Sequence, residues 1–158
     1  MSEQKAYFAA GCFWGVEDSF RKMPGVIDAY SGYMGGHTEN PTYREVCAGD
    51  TGHAETVEVV FDDEKVSFET LLEQFFGMHN PTTLNRQGPD FGSQYRSAVF
   101  AVNASQREAA EAKRAEVDAS GKWRDPVVTE VNQGGTFWRA EEYHQRYFEK
   151  NGAGFCKV

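Results

Sequence analysis

The chain of 158 residues is long enough for one folded core, and its 40% hydrophobic and 14% aromatic content excludes a chain that is disordered throughout. Its formal net charge of -8 at pH 7 repels phosphate backbones and anionic membrane surfaces, which argues against nucleic acid or membrane as a partner. The chain has no apolar run of about 18 residues and no basic N-terminal segment followed by an apolar run. We therefore expect a soluble, monomeric, cytoplasmic protein with one domain over residues 1–158 and a mobile tail from about residue 151.

The spacing of apolar residues predicts nine secondary structure elements. In chain order they are a strand at 5–10, a helix at 13–23, strands at 26–36 and 56–63, a helix at 68–79, a strand at 93–102, a helix at 105–120, a strand at 126–131 and a helix at 139–151. The alternation in strand 56–63 predicts one buried and one exposed face. Ser67 has the position of an N-cap, and Ser105 with Glu108 has the spacing of a capping box.

The first six elements follow the order β-α-β-β-α-β, which is that of the ferredoxin-like split βαβ fold. The sequence therefore predicts an α+β protein, a two-layer sandwich with an additional strand and helices. Two long irregular segments, at 35–55 and 80–92, interrupt this pattern. Structureless segments longer than about 12 to 15 residues within compact domains are usually functional.

Cys12 lies in the segment AAGCFWGVE, where the predicted first strand meets the predicted first helix. Unpaired N–H groups and the positive end of the helix dipole would favour its thiolate, which is the reactive form. Gly11 allows backbone angles that a side chain would block, and Phe13 with Trp14 can wall a small apolar pocket beside the sulfur. A buried structural cysteine beside core aromatics fits the same residues, so both interpretations stay open.

The chain has three cysteines, and an odd number argues against a disulfide framework. Cys156 lies near the C-terminus, where chain ends are normally mobile. A thiol there could resolve a sulfenic acid on Cys12 by forming a disulfide, or it could be a tail cysteine without function. Cys47 lies in the first irregular segment without a second cue, and we interpret it as structural or incidental.

The irregular segments carry the polar candidates. Glu55 stands where a strand begins, and a partly desolvated carboxyl there could have a pKa high enough to donate a proton near neutrality, although a solvated glutamate is the commoner case. Tyr43, Asp90 and Tyr95 could form hydrogen bonds to a substrate oxygen, or could be surface or core-edge residues. The four histidines show no paired ligand spacing, so we expect no metal. These residues alone indicate a thiol-based redox or acyl-transfer site.

Four segments, at 11–17, 32–36, 40–55 and 86–97, occur in one order along the chain. They read GCFWGVE, GYMGG, NPTYREVCAGDTGHAE and RQGPDFGSQYRS, and together they resemble the signature segments of peptide methionine sulfoxide reductase A. The resemblance runs from about Tyr7 to Cys156. It implies the ferredoxin-like fold with elaborations and the reduction of methionine sulfoxide, peptide-bound or free, as a repair of oxidatively damaged proteins.

The resemblance also assigns roles to residues of this chain. Cys12 matches the nucleophile of the family, and Phe13 and Trp14 match the residues that hold the methyl group of the substrate. Glu55 matches the acid that protonates the sulfoxide oxygen.

Tyr43 and Tyr95 match the tyrosines that form hydrogen bonds to that oxygen, and Asp90 matches an aspartate of the same site. A chiral sulfur held by its methyl group, oxygen and side chain together would make the site select the S epimer.

In the family the nucleophile becomes a sulfenic acid, and Cys156 resembles the cysteine that resolves it. The implied Cys12–Cys156 disulfide would then be reduced by thioredoxin, with no bound cofactor. Some family members carry a further cysteine downstream, whereas this chain ends at Val158 without one, which implies a two-cysteine relay. Cys47 is the fallback resolving residue.

Two other classes of function remain compatible with the residues. A peroxide-reducing enzyme or a disulfide-based redox sensor would also need an activated thiol and a resolving thiol, but neither requires Glu55, Tyr43 and Tyr95. A noncatalytic module could bind methionine-bearing peptides against Phe13 and Trp14. A Cys12→Ser variant separates these classes, because binding would survive the substitution and reduction would not.

Overall fold

The computed structural model describes residues 3–151. The predicted mobile tail and Cys156 lie outside the described residues. Within them, no helix combines the length and the apolar character that crossing a bilayer requires.

The described residues form eight strands, five α-helices and two turns of 3₁₀-helix. The strands are β1 (Glu3–Ala10), β2 (Val26–Met34), β3 (Ala54–Asp62), β4 (Arg86–Gln87), β5 (Asp90–Phe91), β6 (Ser97–Ala101), β7 (Glu130–Gln133) and β8 (Trp138–Arg139). The α-helices are α1 (Phe13–Arg21), α2 (Tyr43–Cys47), α3 (Phe68–Met78), α4 (Ala104–Ala119) and α5 (Tyr147–Asn151). The 3₁₀ turns span Ser93–Tyr95 and Glu142–His144.

Six strands form one mixed sheet in the order β7-β6-β1-β3-β2-β8, while β4 and β5 form a separate hairpin. The four central strands pair antiparallel. At one edge β7 runs parallel to β6, and at the other edge β8 pairs antiparallel with β2. The predicted α+β sandwich is confirmed, because β1, α1, β2, β3, α3 and β6 provide its β-α-β-β-α-β order.

Both faces of the central sheet are covered. On one face the buried ring of Phe8 stacks on Phe20 of α1 at a centroid distance of 4.9 Å and meets Phe75 of α3 at 5.3 Å. On the other face Phe100 belongs to a second apolar cluster, against which Phe137 packs. All nine residues of β3 are buried, so the predicted exposed face of this strand is wrong.

The start of α3 agrees with the sequence prediction, and the start of α4 does not. Ser67 caps α3, since its Oγ accepts a hydrogen bond from the Thr70 backbone N–H at 3.1 Å. The predicted capping box at Ser105 is wrong because the N-cap lies two residues earlier and Ser105 is inside α4. Its N-cap is Asn103, whose Oδ1 accepts from the Gln106 backbone N–H at 2.8 Å.

The irregular segment at 35–55 contains the short helix α2. A capping box starts it: the Glu45 N–H donates to Thr42 Oγ1 at 3.2 Å, and the Thr42 N–H donates to Glu45 Oε1 at 2.9 Å. Val46 is fully buried against the core. The helix therefore packs against the core and places Tyr43 at its beginning and Cys47 at its end.

The predicted helix at 139–151 is wrong over most of its length. Gln145 places its side-chain oxygen 2.8 Å from the Ser31 N–H and its amide nitrogen 2.9 Å from the Ser31 carbonyl oxygen. The next backbone N–H, of Arg146, donates to the buried Glu17 carboxylate at 2.8 Å. These bonds to β2 and α1 take the place of intrahelical bonds, and only the last turn, α5, is α-helical. The predicted strand at 126–131 is also shifted, to β7.

The cap of α4 gives a first test. We expect Asn103→Ala to lower the free energy of unfolding by about 1 kcal/mol, because the Gln106 N–H loses its acceptor. For a chain of this length that loss lowers the thermal unfolding midpoint by about 2–4 °C. The control is Ser105→Ala, which lies inside the helix and is expected to change the midpoint much less. A larger loss for Ser105→Ala than for Asn103→Ala would contradict the observed cap.

Candidate active site

Cys12 is the N-cap residue of α1, and only Gly11 separates it from the end of β1. Gly11, between strand and N-cap, has φ +94°, a backbone conformation that side chains disfavour, so glycine is needed for the chain to turn here. The Cys12 side chain makes no capping hydrogen bond, and the first turn of α1 carries no acidic residue. The partial positive charge of the helix N-terminus therefore acts on the Cys12 sulfur without a competing carboxylate in that turn.

Glu55, the second residue of β3, is 1% exposed. Its Oε1 accepts a hydrogen bond from the Phe13 backbone N–H at 3.1 Å, and its buried Oε2 has no hydrogen-bond partner in the described part of the chain. Burial raises the pKa of Glu55 to about 8, the Phe13 N–H opposes the rise, and the negative charge of Asp90 adds to it. The carboxyl is thus neutral at pH 7, next to the residue that follows Cys12.

Asp90 is a partly buried residue in β5, on the hairpin that precedes the turn Ser93–Tyr95. Burial raises its pKa. Because its charge raises the pKa of Glu55, the hairpin brings a second carboxyl near the first.

Two tyrosine hydroxyls lie close to Glu55. Burial raises the pKa of Tyr43 and of Tyr95, and in both residues the charge of Glu55 is the next largest cause. Both side chains are therefore protonated donors at neutral pH. Tyr43 comes from the first residue of α2, and Tyr95 from the last residue of a 3₁₀ turn, so two irregular segments supply the pair.

Cys47 belongs to the same cluster. Its side chain is hydrogen-bonded to Tyr43 and Tyr95, and it is a free thiol on an exposed residue. Burial of the sulfur raises its pKa, the two tyrosine hydroxyls oppose the rise, and the charge of Glu55 adds to it. The interpretation of Cys47 as structural or incidental overlooked this position, since its neighbours come from segments distant in sequence.

Phe13 and Trp14 form part of an aromatic wall. The buried Phe13 ring lies 5.7 Å from Tyr33 and 6.2 Å from Tyr43 between centroids. The Trp14 ring stacks on Tyr147 at 3.8 Å with an interplanar angle of 7°. The wall is thus built from α1, β2, α2 and α5 together.

His144 holds Trp14 from the opposite end of the chain. It is fully buried, and its Nδ1 accepts a hydrogen bond from Trp14 Nε1 at 3.0 Å. Burial lowers the pKa of His144, which favours the neutral ring that can accept this bond. Because Nδ1 accepts, the proton is assigned to Nε2, which is buried without a partner among residues 3–151.

A cavity of about 500 Å³ lies elsewhere on the molecule, with His53, Arg96 and Glu130 in its lining. His53 is satisfied there, since its Nδ1 accepts from the Gly36 N–H at 3.0 Å and its Nε2 lies 2.8 Å from the Thr38 carbonyl oxygen. Arg96 pairs with Glu130 at 3.3 Å. No cysteine is among the residues that line this cavity.

Comparison with known proteins gives the family. A family model described as peptide methionine sulfoxide reductase matches residues 4–158. The peptide methionine sulfoxide reductase MsrA of Methanoculleus marisnigri is 56% identical over 157 residues, which cover 99% of this chain and 96% of that protein. This chain belongs to the peptide methionine sulfoxide reductase A family. It is an oxidoreductase that acts on methionine sulfoxide.

Solved structures of Mxr1 from Saccharomyces cerevisiae share the reductase A fold of this chain. The reduced form superposes with a TM-score of 0.90 and 35% sequence identity, over 98% of this chain and 88% of that one. Mxr1 in complex with Trx2 superposes with a TM-score of 0.65 and 22% identity, over 92% and 84% of the two chains, and this likeness shows the fold alone.

The structure brings most of the predicted reductase A site residues into one region. Phe13, Tyr43, Asp90 and Tyr95 interact with the Glu55 carboxyl. Cys12 directly precedes Phe13, and the Trp14 ring lies 6.4 Å from the Tyr43 ring between centroids. Cys156 lies outside the described residues. No group of three or more potential metal ligands occurs within residues 3–151.

Sequence reasoning missed three residues of the C-terminal segment. His144 and Tyr147 contact the Trp14 ring, and Glu141 accepts hydrogen bonds from Tyr33 and Tyr43. The helix predicted at 139–151 gives no indication of these contacts. The one available signal was the stretch YHQRY, which concentrates aromatic and hydrogen-bonding side chains at 143–147.

The raised pKa of Glu55 predicts a pH-dependent cost in stability. Between its ordinary pKa of 4.5 and about 8 the folded chain binds a proton that the unfolded chain has lost, so the free energy of unfolding falls as pH rises through this range. Replacing Glu55 by Gln removes this dependence. From about pH 5 to about pH 9 we expect the midpoint of Glu55→Gln to rise by several degrees relative to that of the parent chain.

Thermal unfolding of both reduced proteins at the two pH values measures this. The matched control is Glu108→Gln, an exposed carboxyl of α4, whose midpoint should follow that of the parent chain at both pH values. If the unfolding midpoint of Glu55→Gln differed from that of the parent chain by the same amount at both pH values, folding would not raise the pKa of Glu55.

Proposed function

We propose that the Cys12 thiolate reduces the S epimer of methionine sulfoxide, free or in peptides, with Glu55 as the proton donor and thioredoxin as the reductant. The observation that carries the proposal is the state of Glu55, a neutral buried carboxyl with one oxygen bonded to the Phe13 N–H and the other unpartnered in the described chain. In a neutral carboxyl the oxygen that accepts from an N–H is the carbonyl. The proton is therefore on Oε2, ready for a substrate oxygen.

The substrate fits the groups around this proton. Its methyl group packs on Phe13 and Trp14, and its oxygen accepts from Glu55 Oε2 and from the hydroxyls of Tyr43 and Tyr95. When the substrate binds, the two hydroxyls donate to its oxygen instead of to the Cys47 sulfur. Methyl group, oxygen and peptide chain then occupy three fixed directions around the sulfur, and the R epimer would place its oxygen away from the donors.

Reduction needs the nucleophile and the acid together. A sulfoxide sulfur is a poor electrophile until its oxygen is protonated, so Glu55 supplies the proton as the Cys12 thiolate attacks the sulfur. The oxygen passes to Cys12 as a sulfenic acid, and methionine leaves as the thioether. One thiol and one sulfoxide thereby give one sulfenic acid and one thioether, with two electrons taken from Cys12.

The sulfenic acid on Cys12 must be reduced to the thiol before the next turnover. The Cys156 thiol attacks the sulfenic acid, which gives the Cys12–Cys156 disulfide and one water. A thioredoxin dithiol then reduces the disulfide by exchange. Yeast Mxr1, which has the same fold as this chain, forms a complex with Trx2, and this supports thioredoxin as the partner. Repair of oxidised methionine in cytoplasmic proteins is the role that this chemistry serves.

A single-turnover experiment tests the proposal. Fully reduced protein is mixed with one equivalent of each epimer, and methionine is quantified while non-reducing peptide mapping identifies the disulfide. We expect methionine from the S epimer only and a linked Cys12–Cys156 peptide. A Cys12–Cys47 link would identify Cys47 as the resolving residue and would leave the proposed reductase activity standing. No methionine from either epimer would favour peroxide as the substrate.

Two variants test the assigned roles in the same assay. Cys12→Ser should form no methionine, and Glu55→Gln should form it about 10²- to 10⁴-fold more slowly, because the proton donor is lost. In the parent chain the rate should fall as pH rises past about 8, where Glu55 loses its proton, and this decline should be absent from Glu55→Gln. The Glu108→Gln control should keep the parent rate. A parent-like rate for Glu55→Gln would refute its role.

A further inference from the structure

Glu141, directly before the turn Glu142–His144, joins three parts of the fold. Its Oε1 accepts a hydrogen bond from the Tyr33 hydroxyl at 2.8 Å, and its Oε2 accepts one from the Tyr43 backbone N–H at 3.0 Å. Tyr33 is fully buried in β2, and Tyr43 is the first residue of α2. One carboxylate thus links the C-terminal segment to the sheet and to the helix that supplies a tyrosine of the site.

The position of Tyr43 needs such a link. A helix of five residues has too few internal hydrogen bonds to hold its own orientation, and the capping box of Thr42 and Glu45 is local and exposed. Val46 anchors the far side of α2 in the core, and Gln94 donates to the Cys47 carbonyl oxygen at 3.3 Å. These contacts hold the C-terminal end of α2, and the bond to Glu141 holds its N-terminal end.

We propose that Glu141 is a positioning residue, whose carboxylate fixes the backbone of Tyr43 so that the Tyr43 hydroxyl faces the substrate oxygen. The inference rests on the proposed function, since it concerns the same site. Glu141 itself does not touch the substrate and acts through Tyr43.

The carboxylate is suited to this task. Burial opposes its ionisation, but hydrogen bonds from the Tyr43 N–H, from its own N–H and from the Tyr33 hydroxyl lower the pKa of Glu141 below its ordinary value. An ionised carboxylate offers two acceptor oxygens, one to each donor. An amide of the same shape offers one acceptor and one donor, so Glu141→Gln must leave one of the two donors without an acceptor.

A double-mutant cycle separates positioning from a general structural effect. In the single-turnover assay with the S epimer we expect Glu141→Gln to lower the rate about tenfold, because a small displacement of Tyr43 weakens its bond to the oxygen. In a Tyr43→Phe background, where the hydroxyl is absent, the same substitution should change the rate by less than about twofold. In the chain that keeps the Tyr43 hydroxyl, Glu141→Gln should change the apparent KM less than it changes the rate at saturating substrate.

Tyr33→Phe provides a second variant that keeps the ring packing on Phe13 and removes only the other donor to Glu141. We expect a smaller loss of rate with the same dependence on Tyr43. Glu142→Gln, the exposed neighbouring carboxyl, is the matched control and should keep the parent rate. Near-UV circular dichroism and thermal unfolding identify a variant that has not folded, and Tyr33→Phe then carries the test.

The outcomes are distinct. An equal loss of rate from Glu141→Gln with and without the Tyr43 hydroxyl would show a structural effect and overturn the inference. A parent-like rate for Glu141→Gln or for Tyr43→Phe would overturn it as well. Absence of methionine formation by the parent chain would instead refute the proposed function.

Discussion

The hydrogen bond from the Phe13 N–H to Glu55 Oε1 is the interaction on which the site depends. It joins the first residue of α1, directly after Cys12, to the second residue of β3, so this bond holds together the two elements that carry the proposed nucleophile and the proposed acid. A buried carboxyl with a single hydrogen bond stays neutral, because ionisation would leave a charge that one N–H cannot compensate. The unfavourable burial of Glu55 is therefore what allows the proton donation near pH 7 that the proposed function assigns to it.

The C-terminal segment performs a second task that its sequence does not suggest. Through Gln145 and Arg146 it is bonded to β2 and to Glu17 of α1, and this attachment places three side chains against the site. His144 and Tyr147 hold the Trp14 ring, and Glu141 reaches the start of α2. One segment thus supports both the aromatic wall and the start of α2, to which the proposed function assigns the methyl group and the oxygen of the substrate.

The sequence predicted those features that depend on neighbours along the chain. The α+β order, the Ser67 cap and the position of Cys12 at a strand-to-helix junction follow from local periodicity, turn residues and Gly11. Contacts such as that of Trp14 with His144, 130 residues apart, leave no periodic signal, so the wall could not be completed from the sequence. Burial of β3 on both faces was likewise invisible to an alternating pattern, which predicts one exposed face.

The protonation of Glu55 is the central claim, and infrared difference spectroscopy measures it directly. Spectra of the reduced parent chain minus those of Glu55→Gln, recorded from about pH 5 to about pH 10, isolate the carboxyl stretch of this residue. We predict the band of a protonated, sparingly hydrogen-bonded carboxylic acid at neutral pH, lost with a midpoint near 8. Carboxylate bands already present at about pH 6 would show that Glu55 is ionised, and the account of it as proton donor would be wrong.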